Sequence, residues 1–239
     1  MTPRRRLFDL AAVLILAPLL ALPAVLVAVL VFLDSPGPVV YRARRIGLGG
    51  RPFEMLKFRT MRNEAGGAAV SAQDDPRVTP LGRLLRATRL DELPQLWNVL
   101  RGEMSVVGPR PEDEEFVAAY SSDYRRILSV PPGLTGPSQI RFATVEARAL
   151  AGADDPGRRY AEAVLPGKVA LDLAYVGDHT LAGDLAIIGQ TLMLPFRQLT
   201  ARITGHAPRR REHRSAYAFC GVAGLALLAA FVLTSGTTG

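Results

Sequence analysis

The chain has 239 residues, enough for one core-forming domain with membrane elements but too few for two independent soluble domains. Its formal net charge of +7 arises in residues 1–62, which carry 10 Lys and Arg against 3 Asp and Glu. No aromatic platform or helix-turn-helix pattern accompanies this basic region, so nucleic-acid binding is not predicted. The single cysteine, Cys220, excludes an intrachain disulfide.

The first predicted element is a long apolar helix. Residues 10–33 contain no charged side chain over 24 positions, which suffices to enter a bilayer and is too long for a cleaved signal peptide. Pro23 predicts a kink because proline removes a helical hydrogen bond. Because basic flanks remain in the cytoplasm, a helix that enters and returns fits the sequence as well as a kinked spanning helix. The basic residues on the two sides of the run are Arg4, Arg5, Arg6, Arg42, Arg44 and Arg45.

Two short strands follow, at residues 39–46 and 52–60. The glycines at positions 47, 49 and 50 supply the turn between them, which predicts a β-hairpin. No Lys-Ser or Lys-Thr pair follows these glycines, so a nucleotide-binding P-loop is not predicted.

Helices dominate the rest of the predicted domain. Thr79 followed by Pro80 predicts a helix start. This helix has a stripe of leucines opposite a face of arginines, so it either lies on a membrane surface or packs on a soluble core. A second helix is predicted at residues 91–101, ended by Gly102. Further helical stretches are predicted at 112–129, 161–176 and 181–203, and a loop at 63–72.

A second uncharged run of 19 positions lies at residues 215–233, after a cluster of arginines. The positive-inside rule predicts a helix that spans the membrane, and a surface-lying or partner-bound tail is the alternative. The chain therefore divides into a membrane helix at 1–38, a cytoplasmic membrane-associated domain at 39–206, and a basic linker with a hydrophobic helix at 207–239.

The densest group of reactive side chains surrounds Asp91 and Glu92. Asp91 stands at the predicted start of a helix, whose dipole would keep its carboxylate ionised and able to attack phosphorus. Glu92 adds a like charge, which raises one pKa of the pair toward the range of proton transfer. A plain helix cap is the alternative for Asp91. Five cations suited to a diphosphate are Lys57, Arg59, Arg86, Arg89 and Arg110.

A divalent ion that bridges a diphosphate and a carboxylate is expected for such chemistry. The three histidines, His179, His206 and His213, show neither metal-ligand spacing nor a cysteine cluster nearby. Zinc chemistry and Ser-His catalysis are therefore not predicted.

Several short motifs stand in an order that resembles the bacterial sugar transferases. These are the monotopic phosphoglycosyl transferases that start glycan assembly on undecaprenyl phosphate. The resemblance covers residues 4–200 and includes Asp172, Tyr175 and Asp184. The motifs are Lys57-Phe58-Arg59-Thr60-Met61, Asp75-Pro76-Arg77, Leu90-Asp91-Glu92-Leu93-Pro94-Gln95-Leu96, Asn98-Val99-Leu100, Gly108-Pro109-Arg110-Pro111 and Pro132-Gly133-Leu134-Thr135-Gly136.

The resemblance implies an α-rich α+β fold in a monotopic membrane protein. Its parts would be a re-entrant N-terminal helix kinked at Pro23, a short β-hairpin and interfacial amphipathic helices; the C-terminal transmembrane helix predicted above would lie outside the resemblance. The enzyme would lie on the bacterial inner membrane, with its catalytic domain on the cytoplasmic face. Its partners would be a UDP-sugar and a polyprenyl phosphate, and a homo-oligomer stays open.

The reaction implied by the resemblance has two steps. Asp91, assisted by Mg²⁺ that it ligates, would attack the β-phosphate of the UDP-sugar, and UMP would leave a phosphosugar on the enzyme. Glu92 would act as base while the polyprenyl phosphate takes over the sugar phosphate, the first membrane step of exopolysaccharide assembly. The substrate phosphates would be held by Lys57, Arg59, Arg86 and Arg110.

The chain also departs from the family's usual pattern. Leu22 and Arg89 stand where serine is common, Ala43 where glutamine is frequent, and Pro137 where a larger apolar residue is usual. The expected Asn-Gly-Arg after Gln139 is missing. The substitutions at positions 89 and 137 raise the possibility of a transferase that has lost activity. The alternative function is a non-catalytic membrane scaffold that uses its basic surface to bind anionic lipids or glycan-assembly partners.

Overall fold

The computed structural model describes residues 1–62, 75–118, 122–143 and 145–204. The chain forms two compact units, Met1–Asp178 and His179–Gly239. The first unit is rich in helices and contains two small two-stranded sheets. The second contributes helix α10, described below. The loop predicted at 63–72 and the hydrophobic helix predicted within 207–239 lie outside the described residues.

The apolar run near the N-terminus forms helix α1, Pro3–Asp34. Thr2 caps it, because its hydroxyl accepts a hydrogen bond from the Arg5 amide at 3.4 Å. In the described part of the chain it is the one helix long and apolar enough to cross a membrane. Only 11% of its most apolar stretch is buried, which is unlike a helix in the core of a soluble protein. The helix continues through Pro23, and the kink there stays a prediction.

The predicted hairpin is confirmed. Strands β1, Val40–Ile46, and β2, Pro52–Phe58, pair antiparallel, with Val40 opposite Phe58. The connection is a short 3-10 turn, Leu48–Gly50, in which Gly49 has a φ of 67° and Gly50 a φ of 76°. Glycine adopts this left-handed conformation without steric cost, which explains the tight turn.

Helix α2, Pro80–Thr88, begins where the sequence predicts. The Thr79 hydroxyl accepts a hydrogen bond from the Gly82 amide at 2.9 Å. Leu85 is buried in a cluster with Val27 and Phe58, so this side of the helix packs on a core formed by α1 and β2. The other side differs, because Leu84 is 59% exposed. Packing on a core is confirmed for the Leu85 side, and a membrane contact of the Leu84 side stays a prediction.

The second helix begins later than predicted. Arg89 ends α2 in the left-handed conformation, with a φ of 59°, and Leu90–Glu92 form a separate 3-10 turn. Helix α3, Gln95–Arg101, starts only after Pro94. The left-handed conformation of Arg89 interrupts the helix, and Pro94, which has no amide hydrogen to donate, suits the start of α3. The prediction that Asp91 is a helix cap is therefore wrong.

The remaining elements of the first unit surround a second small sheet. Strands β3, Ser105–Val107, and β4, Gly133–Thr135, pair in parallel. The predicted helix 112–129 is described as two shorter helices, with residues 119–121 outside the described part. The prediction at 161–176 is confirmed from residue 165 onward. The helices are α4, Glu114–Ala118; α5, Ser122–Ile127; α6, Pro137–Phe142; α7, Val145–Leu150; α8, Pro156–Arg159; and α9, Leu165–Asp178, which follows a π-helical turn at Tyr160–Val164.

The predicted helix at 181–203 is confirmed as α10, Leu181–Thr204. The helix is assigned through Pro195, so this proline does not end it. Its apolar stretch Leu181–Leu194 is shorter than a bilayer-length segment.

Candidate active site

Asp91 and Glu92 lie in the 3-10 turn between α2 and α3 and are buried, with 7% and 8% of their surfaces exposed. Buried carboxylates normally have hydrogen-bond partners. Within the described residues, however, the Asp91 side chain makes neither a hydrogen bond nor an ion pair. Its oxygens are therefore not committed to holding the fold together.

Glu92, in contrast, is surrounded by three cations. Its Oε1 atom lies 3.7 Å from Lys57 Nζ and 3.5 Å from Arg110 Nη1. Its Oε2 atom lies 3.4 Å from Arg89 Nη1. The three side chains come from β2, from the segment after β3 and from the end of α2. Glu92 is thus the anion around which these cations are arranged.

The position of Lys57 is fixed through Asn98 of α3. The Asn98 Nδ2 atom donates to the Glu54 carbonyl at 2.7 Å, and its Oδ1 atom accepts from the Leu56 amide at 3.0 Å. A side-chain amide that uses both its donor and its acceptor on one strand fixes the register of helix and strand. The Asn98-Val99-Leu100 motif therefore sets Lys57 opposite Glu92.

The position of Arg110 is fixed by close contact between two glycines. The Gly108 amide donates to the Thr135 carbonyl at 2.8 Å, and the Gly133 amide donates to the Pro109 carbonyl at 2.8 Å. A Cβ atom on Gly133 would lie 2.1 Å from the Gly108 nitrogen, which no side chain permits. The two motifs that contain these glycines thus join to direct Arg110 toward Glu92.

Arg86 contributes to the same site from α2. Its Nε atom donates to the Thr60 hydroxyl at 2.9 Å. Its charge lowers the pKa of Asp91, as do the charges of Lys57 and Arg110. Of the four substrate-binding residues predicted from the sequence, the structure therefore brings three together beside the carboxylates.

Arg59, the fourth, has different partners. Its Nη2 atom donates to the Ser35 carbonyl and lies 3.5 Å from the Val31 carbonyl, both at the end of α1. Among the described residues it forms no ion pair with Asp91 or Glu92. The structure gives Arg59 a role in holding α1, and its role in phosphate binding stays a prediction.

The two carboxylates differ in acidity. One pKa of the pair is raised, as the sequence predicts, and it is the pKa of Asp91. Burial and the charge of Glu92 raise the pKa of Asp91 to about 6. Burial also raises the pKa of Glu92, but the charges of Arg89, Lys57 and Arg110 outweigh it and lower that pKa to about 2. The expectation that a helix dipole keeps Asp91 ionised is wrong, because Asp91 does not cap a helix. The nearby cations thus make Glu92 a stronger acid than Asp91.

Lys57 is affected by the same surroundings. Burial and the neighbouring charge of Arg110 lower its pKa to about 8, although Glu92 and Asp91 act in the other direction. A lysine with such a pKa is close to losing its charge at slightly alkaline pH. The site therefore holds two groups that titrate near neutral pH, Asp91 and Lys57.

The donor atoms available for Mg²⁺ are few. No group of three or more His, Cys, Asp or Glu side chains that could hold a metal occurs in the described ranges. Mg²⁺ is commonly bound by one or two carboxylates together with substrate phosphates and water. Asp91, whose oxygens have no partner among the described residues, fits this kind of site.

Sequence reasoning missed a set of contacts at the start of α1. The Asp9 carboxylate accepts from the Ser105 hydroxyl and the Val106 amide, both at 2.9 Å. Arg5 donates to the Val107 carbonyl at 2.7 Å and also contacts Tyr175. Asp9 directly precedes the apolar run, and no local spacing links it to a strand almost 100 residues later.

Comparison with known proteins agrees with these observations. A sequence model of the family described as bacterial sugar transferase matches residues 2–198. The chain belongs to the bacterial sugar transferase family. Family membership confirms the resemblance that the ordered motifs indicate and makes the chain a sugar-phosphate transferase.

Three relatives of the chain are informative. A UDP-glucose:undecaprenyl-phosphate glucose-1-phosphate transferase of Caulobacter vibrioides is 40% identical over 194 residues, which cover 79% of this chain and 68% of the relative. An exopolysaccharide production protein of Rhizobium leguminosarum is 38% identical over 79% of this chain and 93% of the relative. A UDP-N-acetylgalactosamine-undecaprenyl-phosphate N-acetylgalactosaminephosphotransferase of Aeromonas hydrophila is 37% identical over 79% of this chain but only 42% of the relative.

Two departures from the usual sugar transferase pattern can be placed in the structure. Arg89, where serine is common, supplies one of the three cations around Glu92. Pro137 is the first residue of α6, a position where proline is favoured because its amide would be unpaired there. Both substitutions are compatible with an intact site.

Proposed function

We propose that this transferase moves a sugar 1-phosphate from a UDP-sugar to polyprenyl phosphate, most simply undecaprenyl phosphate, as a first membrane step of exopolysaccharide assembly. The names of the Caulobacter and Aeromonas relatives, which act on UDP-glucose and UDP-N-acetylgalactosamine, support the two substrates. The observation that carries the proposal is the buried Asp91 carboxylate, which has no hydrogen bond or ion pair in the part of the chain that the structure describes. It is adjacent to a carboxylate that holds three cations.

In the first step, an Asp91 oxygen attacks the β-phosphorus of the donor. The bond between this oxygen and phosphorus forms, and the bond from phosphorus to the bridging oxygen breaks, so that UMP leaves. Lys57, Arg86 and Arg110 would bind the phosphate oxygens, and arginine can do so through two parallel hydrogen bonds. Positioning and charge neutralisation account for most of the catalysis in phosphoryl transfer.

In the second step, a phosphate oxygen of the lipid attacks the same phosphorus. The bond to Asp91 breaks, the carboxylate is restored, and the product is a polyprenyl diphosphate sugar. Glu92 takes part by holding Lys57, Arg89 and Arg110 in place. The low pKa of Glu92 makes it a weak base, so this positioning role fits the structure better than proton transfer.

Mg²⁺ is part of the proposal. When bound by Asp91 together with diphosphate oxygens, it would neutralise negative charge on the donor. Lys57, Arg86 and Arg110 would supply further positive charge. Titration of the activity with Mg²⁺ after chelation with EDTA tests this part.

We further propose that α1 is re-entrant and that the site lies at the cytoplasmic membrane surface. Asp9 near the start of the helix bonds to Ser105, and Ser35 after its end bonds to Arg59. Both ends of the helix thus contact the same domain, which a helix with its ends on opposite sides of a bilayer would not allow. Apolar side chains point outward along α1, and Leu84 and Trp97 are 59% and 56% exposed on α2 and α3. Such helices suit the lipid interface.

The topology can be tested with single cysteines at positions 4 and 42 in a Cys220→Ser background. A membrane-impermeant maleimide should label both from the cytoplasmic side, in inverted vesicles, and neither from the outside. Labelling of the two positions from opposite sides would show that α1 spans the membrane.

The function is tested with purified protein in nanodiscs, Mg²⁺ and a panel of UDP-sugars. We expect UMP release with at least one sugar, turnover when polyprenyl phosphate is added, and a phosphosugar adduct in the intact mass of the protein without it. Normal turnover by Asp91→Asn would refute the mechanism. Binding to anionic lipid without UMP release from any donor would favour the non-catalytic scaffold.

A further inference from the structure

A second cluster of polar side chains lies near the segment that carries Arg110, and the mechanism above does not use it. Lys168 of α9 is 2% exposed, and its Nζ atom donates to Glu146 Oε2 at 2.9 Å and to the Tyr160 hydroxyl at 2.7 Å. It also lies 3.4 Å from Glu112 Oε1. A buried ammonium group requires such partners, because an unpaired charge would be strongly destabilising.

This group is continuous with the candidate active site. The Tyr160 hydroxyl donates to Glu112 Oε1 at 2.7 Å. Glu112 follows Arg110 by two residues, and Arg110 contacts Glu92. Lys168 and Tyr160 therefore hold the segment that carries Arg110, and the charges of Glu112 and Glu146 both act on Arg110.

Glu146 differs from the other members of the group. Its side chain is 31% exposed, whereas that of Glu112 is 12% exposed. Lys168 binds its Oε2 atom, while its Oε1 atom forms no hydrogen bond or ion pair with any described residue. Glu146 is thus an accessible carboxylate that a buried lysine holds in one orientation and that has one oxygen available.

The charge of Glu146 restricts what can bind to it. Burial raises the pKa of Glu146, but the charges of Lys168, Arg110 and Lys57 outweigh burial, so that the pKa lies below its usual value. The group is therefore ionised at neutral pH. An ionised carboxylate repels phosphate and accepts hydrogen bonds from hydroxyl groups. A UDP-sugar has hydroxyl groups on both sides of its diphosphate, on the ribose and on the transferred sugar.

We propose that Glu146 binds hydroxyl groups of the nucleotide sugar donor and that Lys168 is the positioning residue that orients it. This inference rests on the proposed function, since it assigns a contact to the same donor. The ribose and the transferred sugar both carry hydroxyl groups that could bind Glu146, and the experiment below distinguishes the two.

The test uses full-length Glu146→Gln and Glu146→Ala in nanodiscs. We measure KM and kcat for UMP release, the Kd of the UDP-sugar, and the inhibition constant of UDP, which has the ribose but no sugar. Loss of a hydrogen bond to a charged group corresponds to a weakening of about 10- to 100-fold. We expect the KM and Kd of the donor to rise by that factor in Glu146→Ala and less in Glu146→Gln, with little change in kcat.

UDP inhibition identifies the hydroxyl group. If Glu146 binds the transferred sugar, the inhibition constant of UDP stays at its wild-type value. If Glu146 binds the ribose, that constant rises by the same factor as the donor KM. Lys168→Met should reproduce the KM effect of Glu146→Ala, whereas a merely structural role of Lys168 would lower the thermal midpoint without changing the donor KM.

Glu162→Gln is the matched control. Glu162 is also a carboxylate paired with one cation, Arg158 at 2.8 Å, but it is far more exposed. Its substitution should leave the donor KM unchanged. Wild-type donor Kd and KM in both Glu146 variants would refute this inference alone, whereas donor binding without UMP release by the wild type would refute the proposed function alone.

Discussion

Arg110 Nη1 lies 3.5 Å from Glu92 Oε1, so the arginine of the Gly108-Pro109-Arg110-Pro111 motif is held by the neighbour of Asp91 and not by Asp91 itself. The same Glu92 atom lies 3.7 Å from Lys57 Nζ. The two adjacent carboxylates therefore differ in their contacts: Glu92 binds the cations and Asp91 does not. Glu92 stays ionised and organises the cations, while the Asp91 oxygens form no hydrogen bond or ion pair within the ranges that the structure describes.

Asp91→Asn should abolish the reaction. An amide oxygen cannot replace the carboxylate nucleophile, so we expect UMP release to fall by at least about a thousandfold, with no phosphosugar adduct in the intact mass. Asp155→Asn is the control, because Asp155 caps α8 at 3.0 Å from the Arg158 amide and asparagine caps equally well. Adduct formation by Asp91→Asn would exclude Asp91 as the nucleophile.

The pH profile of the first step should be bell-shaped. Asp91 loses its nucleophilic anion as the pH falls through about 6, and Lys57 loses its charge as the pH rises through about 8. We expect the rate constant of single-turnover UMP release, measured at a subsaturating donor concentration, to decline on both sides of this window. The assay omits the lipid, because a phosphate monoester titrates near pH 6. In Lys57→Arg the alkaline decline should disappear, since arginine keeps its charge; an unchanged alkaline limb would exclude Lys57 as its source.

Glu92→Gln should shift the acidic limb of that profile. The negative charge of Glu92 raises the pKa of Asp91, so its removal should lower this pKa and move the limb to lower pH. The donor KM should rise, because Lys57, Arg89 and Arg110 lose the anion that holds them. Glu114→Gln, at an exposed carboxylate paired with Arg44, should do neither. A shift of the acidic limb to higher pH would contradict its assignment to Asp91.

Arg59 and Arg110 should respond differently to substitution by methionine. Arg59 donates to backbone carbonyls at the end of α1, and loss of a hydrogen bond from a charged group costs about 1.5–3 kcal/mol. We expect Arg59→Met to lower the thermal midpoint in nanodiscs by several degrees with an unchanged donor KM. Arg110→Met should instead raise the donor KM. A large KM effect in a stable Arg59→Met protein would restore the phosphate-binding role predicted from the sequence.

Gly82→Ala should destabilise the protein. A Cβ atom there would lie 2.0 Å from the Thr60 carbonyl oxygen, so α2 must move away from the residues that follow β2. Overpacking of this kind costs about 1–3 kcal/mol or more. Gly177→Ala, in α9 with open space around the new Cβ atom, should be neutral or stabilising by up to about 1 kcal/mol. Equal thermal midpoints of the two variants would contradict the close contact at Gly82.

Elements with a local signal were predictable. Thr79 and Pro80 mark a helix start through the hydrogen bond of the cap and the fixed φ of proline, and both effects lie within four residues. The glycine turn at 47–50 and the apolar run of α1 are equally local. The start of α3 was not predicted correctly, because the left-handed conformation of Arg89 is rare for a residue with a side chain.

By itself, the sequence determined the family, the apolar helix, the hairpin and the candidate carboxylates and cations, since each depends on residue types within a short segment. Only the tertiary structure decided that Glu92 and not Asp91 holds the cations, that Arg59 secures α1, and that Lys168 orients Glu146. The physical reason is that pKa values and ion pairs depend on burial and on charges brought together from distant segments. Although 53 positions separate Lys57 from Arg110, the charged groups of both lie within 4 Å of the Glu92 carboxylate.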